Sequence, residues 1–302
     1  MTPSFDSSTP NAGVSLSAYL SQASERLTQS GVSFGHGTAN AHDEAAWLVL
    51  WGLGLPLDTD TTEHATAITP AQCQRLDALI AERIATRRPA AYITQEAWLQ
   101  GVSFYVDERS IVPRSFIAEL IAEGTLDLWL SDRTERVLDL CTGNGSLAVL
   151  AALAWPQVQV TGADLSTDAL AVARINGERH GLSPRIDWRE SDVWSGCPGH
   201  WDLVLCNPPY VNSRSMAELP AEFRAEPELA LAGGEDGMDF IRQLLAQAPQ
   251  HLSADGVLVL EIGHEREHFE AAFPHLQPVW LSTSAGDDHV LLLTADALGV
   301  RA

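Results

Sequence analysis

The sequence contains no lysine: its eighteen basic residues are all Arg, against forty Asp and Glu, and the formal net charge is −22. So few cations argue against sequence-independent binding to nucleic acid or to an anionic membrane, because both need clustered positive charge. Cysteine is scarce as well. Cys73, Cys141, Cys197 and Cys206 lie far apart with no C-x-x-C pair, so neither a zinc site nor a disulfide framework is expected, and a reducing cytoplasm fits. Long apolar runs are missing: the longest, Trp47 to Leu57, falls short of the roughly 20 residues that a membrane span needs. The first residues carry neither the basic nor the apolar region of an export signal.

What is present is a globular composition, 45% hydrophobic and 19% charged over 302 residues, a length that predicts two domains. Residues 1–14, rich in Ser, Thr and Pro, read as a mobile leader. Over 15–90 apolar residues recur at helical spacing: Tyr19, Leu20, Ala23 and Leu27, then Ala45, Leu48 and Val49, then Leu76, Leu79, Ile80, Ala81 and Ile84. Thr69-Pro70 reads as an N-cap followed by Pro at the first helical position. This predicts a small helical domain, which either packs for its own sake or holds a macromolecular substrate.

Residues 91–113 form the expected connector, with a hairpin alternation over 98–112 around Gly101 and the Asp107-Glu108 pair. A helix is expected over 115–130. The remaining domain, 114–302, alternates strand and helix patterns. Strands are predicted at 136–141, 158–163, 186–189, 202–206, 256–262, 277–282 and 288–294, and helices near 145–154, 167–181, 237–250 and 265–273. Such alternation builds a parallel α/β sheet with ligands at the C-terminal strand ends. Only residues 283–287 separate the last two strands, so that pair must be an antiparallel hairpin. A seven-stranded sheet of this kind, with its final hairpin and an added N-terminal helical domain, resembles the Rossmann-like S-adenosylmethionine-dependent methyltransferase fold.

The first strand of that sheet runs into Cys141-Thr142-Gly143-Asn144-Gly145 and a helix, where glycines let a ligand approach the backbone. Gly143-x-Gly145-x-x-Ala148 followed by Asp164 also satisfies a dinucleotide fingerprint. Asp139 turns the reading away from NAD, since a carboxylate there would repel a pyrophosphate and suit a cation. Asp164, with Leu165, ends the second strand and can accept both ribose hydroxyls; Asp192, with Val193, follows the third and can accept from an adenine amino group. Capping of the following helices stays open for both. No metal is required.

The most specific signal is Asn207-Pro208-Pro209-Tyr210 at the end of the fourth strand. It looks like the motif of amino-methyltransferases that modify planar nitrogens. An amide nitrogen is a poor nucleophile, and the Asn207 side-chain oxygen and the Pro208 carbonyl can each accept one of its hydrogens. Two prolines stiffen the turn, and Tyr210 offers an aromatic face to a planar amide and a sulfonium.

Over 90–294 the chain resembles the HemK-type protein glutamine N(5)-methyltransferases. The residues that carry this are Val112-Pro113-Arg114-Ser115, Asp139 to Gly145, Asn207 to Tyr210, Glu226-Pro227, Ala230 to Gly237, and Glu261-Ile262-Gly263-His264. The resemblance implies S-adenosylmethionine as cofactor and a glutamine side chain as acceptor, in release factors or in large-subunit ribosomal protein L-three. Val-Pro-Arg-Ser and Asp-Leu-Cys-Thr-Gly look like the ribosomal-protein branch, and a basic ribosomal protein suits an acidic enzyme. Phe116 departs from the Pro expected there. Arg114 is read as a substrate contact or as the partner of a nearby acid, and 112–116 as a border of the cofactor. An adenine methyltransferase of nucleic acid would share the Asn-Pro-Pro-Tyr motif but should show a basic face. An NAD-dependent oxidoreductase would leave the motif unexplained.

Overall fold

The computed structural model describes residues 13–61 and 67–300. Of the expected leader only Gly13 and Val14 fall within that range, and Val14 pairs in an antiparallel bridge with Ile68. The chain divides into two compact units after Thr94.

The first unit contains α1 (Leu16–Ser30), α2 (Ala41–Leu53), α3 (Pro70–Thr86) and the short α4 (Ala90–Thr94), so helix continues past the expected boundary at residue 90. Ser15, Asn40 and Thr69 cap the first three, Thr69 in a reciprocal capping box with Gln72. The apolar stripes of α1 and α2 are buried as predicted. On α3, however, the third inward position is Arg83, while Ala81 is exposed and Ile84 half-buried. Arg83 donates to Glu44 at 2.7 Å with both side chains buried, and its Nη2 reaches the Ser33 carbonyl at 2.8 Å.

The second unit opens with a tight hairpin of β1 (Ala97–Leu99) and β2 (Val102–Phe104) around Gln100-Gly101, both at positive φ as a two-residue turn requires. The expected extension to residue 112 is irregular instead, because Asp107 turns back to bind the backbone and side chain of Arg109. The helix predicted over 115–130 splits at Gly124 (φ 71) into α5 (Ile117–Ala122) and a 3₁₀ segment, Thr125–Trp129.

There follow β3 (Arg136–Leu140), α6 (Ser146–Ala154), β4 (Gln159–Asp164), α7 (Thr167–Arg179), β5 (Ile186–Glu190), β6 (Trp201–Cys206), α8 (Ser213–Glu218), α9 (Asp239–Gln247), β7 (Leu252–Glu261), α10 (Arg266–Ala272), β8 (Val279–Thr283) and β9 (Gly286–Thr294). The strands form one sheet in the order β5-β4-β3-β6-β7-β9-β8, parallel except for β9, which runs antiparallel to both neighbours. One face is covered by α5 and α6, the other by α9 and α10, and the apolar residues of β3, β6 and β7 fill the layers between. Helix α6 is bounded at its far end by Arg185, which donates to the carbonyls of Ala152, Trp155 and Val158. The Trp188 ring on β5 occupies a slot among three glycines: an added Cβ would lie 2.7 Å from it at Gly145 and 3.1 Å at Gly177, and would overlap it at Gly162.

Chain order reverses between β3 and β6, where Leu140 lies opposite Cys206. The Cys141–Gly145 loop and the Asn207-Pro208-Pro209-Tyr210 turn therefore leave the sheet side by side, at the switch point where such sheets bind ligands.

Candidate active site

A cleft opens at this switch point. Among the residues lining it are Gly143, Asp164, Leu165, Asp192, Val193, Asn207 and Pro209, which brings together seven of the residues singled out in the sequence. Its floor is apolar, with Leu140, Ala163 and Phe240. Asp164 accepts the Gly143 N–H through Oδ2 at 2.8 Å and the Ser166 N–H through Oδ1 at 2.9 Å. Ser166, not Asp164, caps α7. Burial pushes the Asp164 carboxyl up, against the lowering effect of those N–H groups. The Asp192 carboxylate is exposed and makes no hydrogen bond among the described residues. It too is not a helix cap, since its backbone turns back onto Ser195. Cys141 and Val193 line the cleft with φ of 57° and 50°. Positive φ is strained for any residue with a Cβ and most of all for a β-branched one.

Asp139, Thr142 and Gly145 do not line the cleft. Asp139 is fully buried beneath the loop, where its Oδ2 accepts the Thr142 hydroxyl at 2.5 Å and the Ala148 N–H at 3.0 Å, and Oδ1 has no partner among the described residues. This carboxylate, read in the sequence as a contact for a cationic ligand, ties β3 to the start of α6. Burial pushes the Asp139 pKa up to about 7. Gly145 is glycine because Trp188 packs against it.

A second cavity lies beyond the turn, lined by Arg114, Asn207, Pro208, Tyr210, Phe223 and Leu231 among others. Asn207 borders both cavities, and its side chain makes no hydrogen bond among the described residues, so its amide is unspent. Tyr210 packs its ring on Gly263, with its hydroxyl 3.5 Å from Glu261. Burial, and then the neighbouring Glu261, hold the phenol well above its usual range, so it stays protonated. Glu261 is itself buried and pushed up to about 7, and accepts from Ser115 Oγ at 2.5 Å and from the Phe116 N–H at 2.9 Å. A proline at 116 would lack that N–H. Arg114 forms a bidentate pair with Glu226, both contacts at 2.6 Å, and Glu226 also accepts the Val112 N–H. Of its two readings, pairing with a nearby acid is realised, although its side chain also walls the second cavity.

The segment after the motif folds back on it. Val211 exchanges backbone hydrogen bonds with Leu231 and Gly233, and a Cβ at Gly233 would lie 2.8 Å from the Tyr210 backbone. Arg109, Ser110 and Ile111 also line the first cleft, from the stretch read as hairpin. Nothing in their spacing distinguishes them in the sequence.

Residues 123–234 match the family model for a methyltransferase small domain, and residues 18–94 that for a PrmC N-terminal domain. Among curated proteins, a ribosomal protein uL3 glutamine methyltransferase of Bordetella pertussis is 54% identical over 91% of this chain and 93% of its own length. One from Neisseria gonorrhoeae is 46% identical over 91% and 93%. Among solved structures, the hMettl16 catalytic domain in complex with MAT2A 3′UTR hairpin 6 superposes with a TM-score of 0.50, at 12% identity over 75% of this chain and 81% of that one, a likeness of fold alone. With identity of this degree running nearly end to end, through both the helical unit and the sheet with its Asn-Pro-Pro-Tyr turn, the chain belongs to the ribosomal protein uL3 glutamine methyltransferase family, enzymes that use S-adenosylmethionine.

Proposed function

We propose that this chain methylates the side-chain amide nitrogen of a glutamine in ribosomal protein uL3, and that Asn207 is where donor and acceptor meet. The observation that carries the reading is the position of Asn207 on the shared wall of two cavities, one bordered by Asp164 and Asp192, the other by Pro208 and Tyr210. The first suits an uncharged nucleoside: two carboxylates with lone pairs to spare, an apolar floor, and a glycine at which the backbone can be approached. Asp164 would accept from ribose hydroxyls and Asp192 from the adenine amino group, with Leu165 and Val193 against the rings. S-adenosylmethionine, when bound, supplies an electrophilic methyl group.

The protein's part is to make a weak nucleophile competent. Asn207 Oδ1 and the Pro208 carbonyl accept the two amide hydrogens, which turns the nitrogen toward the first cavity and raises its electron density. Tyr210, protonated and wedged against Gly263, supplies a fixed apolar wall for the amide plane. Orientation of this kind contributes up to roughly 7 to 11 kcal/mol in favourable cases. The helical unit helps hold the protein substrate, the location is cytoplasmic, and nucleic acid is not a partner. Among the described residues no helix is long and apolar enough to cross a membrane.

Mass spectrometry of uL3 and of a release factor, each incubated with enzyme and S-adenosylmethionine, tests the reading. One added methyl on a uL3 glutamine is expected. A methylated release factor with unmodified uL3 would move the chain to the other branch, and modification of neither would retire the proposal. Asn207→Ala is expected to lower turnover by roughly 100-fold or more at saturating substrates, with cofactor affinity followed separately by calorimetry.

A further inference from the structure

We infer that Arg109 binds the carboxylate in the amino-acid tail of S-adenosylmethionine. This rests on the first cavity being the cofactor site. Among the described residues that line that cavity, Arg109 alone has a cationic side chain, while Asp164 and Asp192 are acidic. The nucleoside half of the cofactor has no anion and can satisfy those acids, but the tail carries a carboxylate beside its ammonium. Two nearby acids would repel that carboxylate unless a cation answers it.

Arg109 is built for the task. Asp107 holds its Nε at 2.9 and 3.1 Å and its Nη2 at 2.6 Å, which fixes the guanidinium plane. The Tyr105 hydroxyl steadies the same carboxylate at 2.8 Å. Nη1 makes no hydrogen bond among the described residues, so one corner of the fork remains to donate. A held guanidinium loses little freedom on binding and matches carboxylate geometry.

Its segment is anchored to the loop after β3. Buried Asn176 accepts the Tyr105 N–H at 2.7 Å, donates to the Tyr105 carbonyl at 2.9 Å, and with the same amide nitrogen donates to the Asn144 carbonyl at 2.9 Å. One side chain thus ties the Arg109 segment to the glycine loop, on the wall of the same cleft.

A bland surface pair between Asp107 and Arg109 would look the same without ligand, so the test compares two ligands that differ only at the carboxylate. Calorimetry would measure S-adenosylhomocysteine and its decarboxylated analogue, S-adenosyl-3-thiopropylamine, against the full-length protein and its Arg109→Ala variant. The wild type should prefer S-adenosylhomocysteine. The variant should bind it roughly 10- to 100-fold more weakly while binding the amine analogue nearly as well as the wild type does. A loss of equal size for both ligands, or for neither, would overturn the assignment. Failure of the wild type to bind S-adenosylhomocysteine at all would instead defeat the cofactor reading beneath it.

Discussion

Asp139, the penultimate residue of β3, has one carboxylate oxygen tied to Thr142 and Ala148 and the other unpartnered among the described residues, and its pKa rises to about 7. An unfolded Asp titrates near pH 4. Between about pH 4 and about pH 7 the folded chain therefore keeps a proton that the unfolded chain has released, and stability from this group falls as pH rises through that window. Asp139→Asn keeps an acceptor for both donors and never ionises. Thermal melting across the window should decline less with pH in the variant; equal slopes would mean that Asp139 is ionised in the fold. Glu261 is shifted in the same direction, so part of the decline should persist. The sequence placed Asp139 just before the glycine loop, where a carboxylate would suit a cation. It could not show that the partners would be a hydroxyl and an amide a few residues on, because those meet the carboxylate only once the loop has turned. The places of Asp164, Asp192 and Asn207 were legible for another reason: Asp164 ends β4, Asp192 and Asn207 follow β5 and β6 within two residues, and strand ends can be counted. Arg109 was not, since its place depends on Asn176.

At the scale of elements, the Asn-Pro-Pro-Tyr turn is held from outside by glycines of two later segments. A Cβ at Gly263, where φ is 54°, would lie 2.6 Å from the Tyr210 ring, and one at Gly237 would overlap the Tyr210 carbonyl. Gly181, at φ 68°, has open space around it and serves as a control. Gly181→Ala should lower stability by about 1 to 2 kcal/mol, the backbone cost of the left-handed conformation. Gly263→Ala should cost more and also reduce turnover of the glutamine substrate, with cofactor affinity kept, because Tyr210 lines only the second of the two cavities. Loss of cofactor affinity in step with turnover would show that the turn moves as a whole. All seven main strands and the closing hairpin were readable from periodicity and loop length. The failures came where periodicity is silent. Residues 105–111 are shaped by side chains bonding to backbone, α8 lies on a polar surface segment with none of its residues buried, and Gly124 interrupts a run that is apolar on both sides.

For the molecule as a whole, forty acidic residues against eighteen basic make long-range attraction to a basic protein the first event of an encounter. With intact uL3 as substrate, kcat/KM should fall as ionic strength rises toward physiological values, where screening acts over about 8 Å. A short neutral glutamine peptide should be far less sensitive, since it carries no net charge for the enzyme's field to act on. Equal salt slopes for the two substrates would remove charge from the account of recognition.

Trp188 ties the history of distant positions together. The loop after β3, strand β4 and helix α7 each leave out a Cβ beside one ring, so alanine at Gly145 or Gly162 would collide with the tryptophan and alanine at Gly177 would press on it at 3.1 Å. Exchange of Trp188 for a smaller residue would free Gly177 from the ring, while Gly145, at φ 81°, would stay strained with any side chain and a Cβ at Gly162 would still lie 3.0 Å from Thr142 Oγ1. The second glycine of the loop after β3 is thus held in place by β5, a strand none of whose residues lines the cleft.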